Sequence, residues 1–235
     1  MTTQSIKPGR LIRDSLILVI PIYTSLLVFR IPGFIFSLLQ FVIPEIWFTV
    51  LVSLYFLSIN IIFYGAVRHF TYKKINHQEV TISQSLQKAI EKFSELILLS
   101  TFFSLYIPIL GFPRLWFVYH AVMIEDYSIA DAFKRSWQLT KGYGWQIFWN
   151  FLILMPISWV RTFLPSLISA SIFGISVWDI NREGLLTTDP AFIFNKLLTI
   201  SVYSLIYFPL VTIYELLIFM RLLALEKRKL DSVAT

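Results

Sequence analysis

Apolar residues in this chain fall in long runs separated by short polar islands, and the run lengths carry the first reading. A helix rises 1.5 Å per residue, so about twenty apolar residues cross a hydrocarbon core of about 30 Å. Runs at about 14–31, 46–67, 94–110, 113–124, 145–160 and 192–220 therefore predict six membrane-crossing helices, the fourth short unless it borrows residues at either end. Two further apolar stretches, 34–43 and 166–178, are too short to cross. Pro32-Gly33 and the break from Arg161 to Pro165 set them off, which predicts interfacial or re-entrant segments. Pro21 predicts a kink in the first run, its freed carbonyl satisfied by neighbouring helices.

Two polar islands carry a 3.6-residue period instead. Over about 81–93, Ile82, Leu86, Ala89, Ile90 and Phe93 form an apolar stripe behind a Thr81/Gln84 capping box. Over about 128–141, Ile129, Ala132, Phe133, Ser136, Trp137 and Thr140 share one face, and Asp131, Lys134, Arg135, Gln138 and Lys141 take the other. Ser128 is placed to cap the first turn, and Gly142 supplies a left-handed stop. Both islands predict amphipathic helices lying at the membrane surface.

Composition excludes a soluble fold. The chain is 57% hydrophobic and 14% charged, against roughly 45–50% apolar residues in soluble domains. Cysteine is absent, so neither disulfides nor thiolate chemistry enter. The net charge of +6 contains no long basic tract; the expected partners are the bilayer and its anionic lipids, with a membrane-protein partner or a second copy as further candidates, and not nucleic acid. Fifteen of the twenty Lys and Arg residues fall on segments that share one side if the N-terminus is inside, leaving Arg30, Arg114, Arg161, Arg182 and Lys196 at the outer ends. That asymmetry predicts both termini in the cytoplasm and an even number of spans. Lys7, Arg10 and Arg13 precede the first run without a small-x-small cleavage pattern, which predicts an uncleaved first span.

The fold class expected is all-α: a single polytopic membrane domain over 1–235, its six spans arranged as three hairpins with interfacial helices on the inner side. A basic inner segment introduces each hairpin, near residues 8, 81 and 128. An offset of 43 pairs Ser85 with Ser128 and Ala89 with Ala132. The membrane expected is a prokaryotic cytoplasmic membrane or, in a photosynthetic organism, a thylakoid.

Chemistry is sparse. His69, His77 and His120 have no paired metal-ligand spacing, and no P-loop, Gly-x-Ser-x-Gly elbow or His-Glu-x-x-His helix is present. His120 with Glu125 and Asp126 approaches a His-x4-Asp pattern, one position out of step. No catalytic residue, metal or cofactor is expected. Glu215 lies inside an apolar run, where a carboxylate needs a partner or a wet cavity; Arg135, Lys134 or Arg221 would supply the partner. Arg30, Arg114 and Arg161 would suit a lipid phosphate if they converge, or snorkel separately. Lys134, Arg135, Trp137 and Lys141 form a candidate headgroup surface. Ser166, Ala170 and Gly174 form a small-residue stripe for close packing within the chain or between copies.

Pro113-Arg114, the acidic Glu125, and Ala132, Ser136, Trp137, Leu139 and Gly142 within AFKRSWQLTKG resemble the signature of the glycerophosphoryl diester phosphodiesterase membrane-domain-like proteins and the related YciC-type integral membrane proteins of prokaryotes. The resemblance covers about a third of the chain by motif. It implies a six-span inner-membrane protein without the catalytic barrel that some members carry. The expected function is a non-enzymatic protein that organises or senses lipid, or assists a membrane complex. A transporter or lipid translocator with a cavity near Glu215 and the outer arginines is the alternative, and a lipid-modifying enzyme the third.

Overall fold

A computed structural model describes residues 8–39, 43, 47, 50–51, 54–55, 58–106, 112–177 and 189–234. These residues form helices α1 (Pro8–Leu38), α2 (Ile59–Ile75), α3 (Ile82–Glu91), α4 (Phe93–Tyr106), α5 (Phe112–Leu115), α6 (Val118–Ile124), α7 (Ile129–Thr140), α8 (Gly144–Leu152), α9 (Leu154–Phe173) and α10 (Pro190–Val202). A π turn (Tyr203–Tyr207) then leads into α11 (Phe208–Ala234), and no strand occurs among the described residues. Three stretches are long and apolar enough to cross a membrane: α1, α8–α9 and α10–α11. Ile20 on α1 and Trp159 on α9 are 76% and 66% exposed. Whole faces of this kind need lipid as their solvent.

Two expected breaks are absent. α1 continues through Pro32-Gly33 to Leu38, and α9 continues through Pro165 to Phe173. Ending either helix there would leave several backbone groups without partners in an apolar setting, a larger cost than the single hydrogen bond each proline removes. The proline-glycine pair serves packing instead, since a Cβ on Gly33 would stand 2.9 Å from the Tyr55 hydroxyl. Residues 34–38 and 166–173 are thus continuations of long helices; 40–42 and 178 lie outside the described residues, as do 107–110 of the expected third span and most of 46–57 of the second. The expected fourth span is two short helices, α5 and α6, and α7 lies along both. In the small-residue stripe, Ser166 is buried, Ala170 half-buried and Gly174 exposed, and α9 packs on α10.

Both amphipathic helices form where their caps predict. The Thr81 hydroxyl accepts from the Gln84 amide while the Gln84 side chain accepts from the Thr81 amide. Ser128 accepts from the Asp131 amide, and Gly142 has φ +84°. Matching the caps corrects the expected internal offset: Thr81 against Ser128 gives 47, which sets Ser85 opposite Ala132 and Ala89 opposite Ser136, all four buried. Small residues at those positions let α3 press on α2 and α7 press on α5 and α6. On α2, Gly65 answers α4 and α6, since a Cβ there would meet Leu96 Cδ1 at 2.8 Å and Met123 Sδ at 3.2 Å.

α11 is the axis of the bundle. Ile213 enters a core built with Leu26, Phe29, Val67, Phe70 and Leu96, while Tyr214, Leu216, Phe219 and Leu222 belong to a second core with Phe117, Ile147 and Phe151. The Tyr214 hydroxyl donates to Asn150 Oδ1 at 2.9 Å, tying α11 to α8. Pro209 cannot donate to the Leu205 carbonyl one turn back, and the Tyr23 hydroxyl of α1 donates to that oxygen instead, at 2.8 Å. Tyr23→Phe is expected to lower stability by about 1 kcal/mol. Thermal unfolding in detergent micelles checks this, and a melting temperature equal to wild type would remove the role assigned to Tyr23.

Candidate functional site

One face of α10, the π turn and α11 carries Lys196, Thr199, Ile200, Tyr203, Tyr207, Phe208, Thr212 and Glu215, and this face lines a cavity of about 750 Å³. Phe29, Arg30, Gly33 and Phe36 of α1 form the facing wall. Phe63 and Tyr64 of α2, Trp116 between α5 and α6, and Arg161 of α9 also line it. Lys196 and Glu215 are nineteen residues apart, about 28 Å along a helix axis. The cavity is therefore a groove comparable in length to a hydrocarbon core. The π turn widens the helix within the groove, as such turns commonly do at ligand sites, and the Tyr203 and Tyr207 rings stack there at 5.6 Å.

Two arginines meet at those tyrosines. The Arg30 guanidinium lies 4.6 Å from the Tyr203 ring centre and 4.8 Å from that of Phe208. Arg161 lies 5.1 Å from Tyr203 and 5.3 Å from Tyr207. The Nε atoms of both arginines are buried and have no hydrogen-bond partner among the described residues. Lys196 stands 5.2 Å from the Phe192 ring, further along the groove.

Glu215 is differently placed. Its carboxylate accepts from Arg68 Nη2 at 2.9 Å, with the two side chains 9% and 4% exposed. Arg68 also donates to the Tyr64 carbonyl at 3.2 Å and lies 3.3 Å over the Tyr64 ring, and the Trp116 side chain hydrogen-bonds Glu215. With Glu215 neutralised in this way, the uncompensated charge on the groove among the described residues is cationic. Arg68 is the residue that sequence reasoning missed, because it falls just past the apolar run at 46–67. α2 instead carries it inward beside Val67 and Phe70.

Of the grouped charges, Glu215, Arg30 and Arg161 are brought together on one cavity, while Arg114 is elsewhere. Its guanidinium stacks 4.2 Å from the Trp137 ring, and its carbonyl accepts from the Ser136 hydroxyl at 2.7 Å. The headgroup set also divides. Lys134, Trp137 and Lys141 are exposed, whereas Arg135 is committed to Glu125 at 2.9 Å and Glu226 at 2.7 Å. Its hydrogen bonds to Glu125, and then to Glu226, raise the guanidinium pKa further against the opposing effect of burial. Asp126 holds Lys88 at 2.7 Å and Lys92 at 3.4 Å, and the Lys88 hydrogen bond keeps its carboxyl below the ordinary range.

His120 is buried between Phe117 and Phe219, and neither ring nitrogen has a partner among the described residues. His120, Glu125 and Asp126 thus have separate surroundings and form no acid-base pair. Among the described residues no three His, Asp or Glu side chains group as a metal site. No curated protein and no solved structure matches the chain. Residues 45–222, which include every groove residue except those of α1, match the model of a domain of unknown function, DUF7847, and the chain belongs to that family.

Proposed function

We propose that this protein is a non-enzymatic, six-span protein of a prokaryotic inner membrane, with both termini cytoplasmic, that binds a lipid in the groove and passes it between leaflets. The observation that carries this reading is the groove itself: about 28 Å of continuous lining with aromatic walls, cations that have no ion pair among the described residues and a neutralised carboxylate. The charge distribution agrees with it. With Arg114 stacked on α7 among the basic residues of that helix, four cations remain for the outer half, and three of them, Arg30, Arg161 and Lys196, line the groove. The resemblance to the phosphodiesterase membrane-domain-like proteins is part of the same proposal and adds the span count, not the chemistry.

A second reading, lipid organisation or sensing without transport, has its own support. Trp145, Phe148 and Trp149 are exposed and pack on one another at the start of α8, three residues after Gly142 and close in sequence to the exposed Lys141. Trp beside Lys is the composition of an interfacial anchor on anionic lipid.

Reconstitution separates the two. Vesicles containing the protein and a headgroup-labelled phospholipid are expected to expose inner-leaflet label to an external quencher severalfold faster than protein-free vesicles. Ile200→Trp, which fills the groove, is expected to return the rate to baseline without loss of fold. Equal rates with and without wild-type protein would sink translocation and leave the organising role.

A further inference from the structure

Two guanidiniums that approach the same aromatic ring repel one another, and the ring compensates only in part: a cation–π contact is worth about 0.5–2 kcal/mol, against several for each ion removed from water. Arg30 and Arg161 share Tyr203 at 4.6 and 5.1 Å, and neither has an ion pair among the described residues. Each keeps a buried Nε without an acceptor among the described residues. Glu215 cannot relieve them, since its carboxylate is held by Arg68. The site therefore holds two forks of N–H donors on opposite walls, α1 and α9, and among the described residues no carboxylate pairs with either.

Building on the groove reading above, we propose that Arg30 and Arg161 form a headgroup site for a phosphorylated amphiphile, the phosphate seated between the two guanidiniums at the Tyr203–Tyr207 π turn. A phosphate monoester fits better than a carboxylate. Its tetrahedral oxygens offer acceptors to two forks at once, and its second charge answers the second guanidinium. Phe29, Phe36, Phe63 and Phe208 make the surrounding wall apolar, so the ligand carries a hydrocarbon tail; a free phosphate would leave those rings wet. Lys196 lies seven residues from Tyr203, about 10 Å along the helix, which is too far to share the same phosphate and suits attraction of the anion toward the site.

The test uses the full chain in phosphatidylcholine nanodiscs, with binding measured calorimetrically for dihexanoyl phosphatidic acid, for dihexanoylglycerol, and for inorganic phosphate. Phosphatidic acid is expected to bind, dihexanoylglycerol not to bind, and inorganic phosphate to bind far more weakly. Arg30→Gln with Arg161→Gln is expected to weaken phosphatidic acid about a hundredfold, each charged hydrogen-bonding group accounting for about tenfold. Arg30→Lys with Arg161→Lys keeps the charge without the forks and should fall between. The proposal is overturned if the diacylglycerol binds as tightly as the acid, if the Gln pair binds like wild type, or if the Lys pair does. Equal affinity for inorganic phosphate would overturn the amphiphile and make the site one for the free anion. Should the Gln pair fail to fold, the wild-type comparison of acid with diacylglycerol still decides. Phosphatidic acid bound but not moved across the bilayer would sink translocation and keep this site; rapid movement of phosphatidylcholine and phosphatidic acid alike, insensitive to both arginines, would sink the site and keep translocation.

Discussion

Arg68→Ala is expected to destabilise the protein by about 3–5 kcal/mol, the cost of leaving one member of a buried ion pair without its partner. Glu215 would keep the Trp116 hydrogen bond and lose the 2.9 Å contact that neutralises it. Glu215→Gln should cost less, because the amide oxygen can still accept from Arg68, and Arg68 retains the Tyr64 carbonyl and ring. Replacing both members with apolar residues, Arg68→Met with Glu215→Leu, should recover most of the loss, since a buried pair owes much of its apparent value to the damage done by breaking it. Denaturant unfolding in micelles of the two single variants and the pair reads all three. An Arg68→Ala protein within 1 kcal/mol of wild type would show that water or lipid headgroups reach Glu215, and would remove the neutral end from the groove.

Helix starts were legible because their signals are local. Thr81 with Gln84 and Ser128 with Asp131 act within one turn, and each forms its expected bonds. Helix stops were less so. Proline and glycine end helices in water by offering the freed backbone to solvent, but beside lipid that exchange has no partner, so α1 and α9 run on through Pro32 and Pro165.

The site was legible in part. That Glu215 needs a counter-charge follows from its apolar surroundings; which residue supplies it does not, because Arg68 is 147 positions away and Arg135 was equally basic. Arg30 and Arg161 could be grouped with Glu215 because all three interrupt apolar runs. Arg114 interrupts one too, but its run is short and folds against α7, which turns it to Trp137. The π turn had no sequence signal beyond Pro209, and without it the convergence on Tyr203 was not visible.

Arg135→Ala is expected to lower stability by about 2 kcal/mol, with little effect on anionic-lipid binding. The guanidinium bridges Glu125, at the turn before α7, and Glu226, on the far end of α11. Bonds to charged groups contribute about 1.5–3 kcal/mol each, and the carboxylates' side-chain exposures of 20% and 34% call for a discount for screening. Removing the arginine also leaves two carboxylates that had shared one cation, so the loss should shrink as salt is added. The effect should be local: amide exchange should rise from Glu226 onward, where α11 leaves the core, and stay slow from Ile213 to Leu222, which are packed in it. Lys134→Glu with Lys141→Glu should do the reverse, reducing binding to anionic vesicles while leaving the melting temperature near wild type, because both side chains are exposed. If Arg135→Ala instead weakened vesicle binding and left exchange beyond Glu226 unchanged, the arginine would be a headgroup ligand. The two acidic partners would then be incidental, and α7 would return to being a surface helix rather than the clamp between the α6–α7 turn and the end of α11.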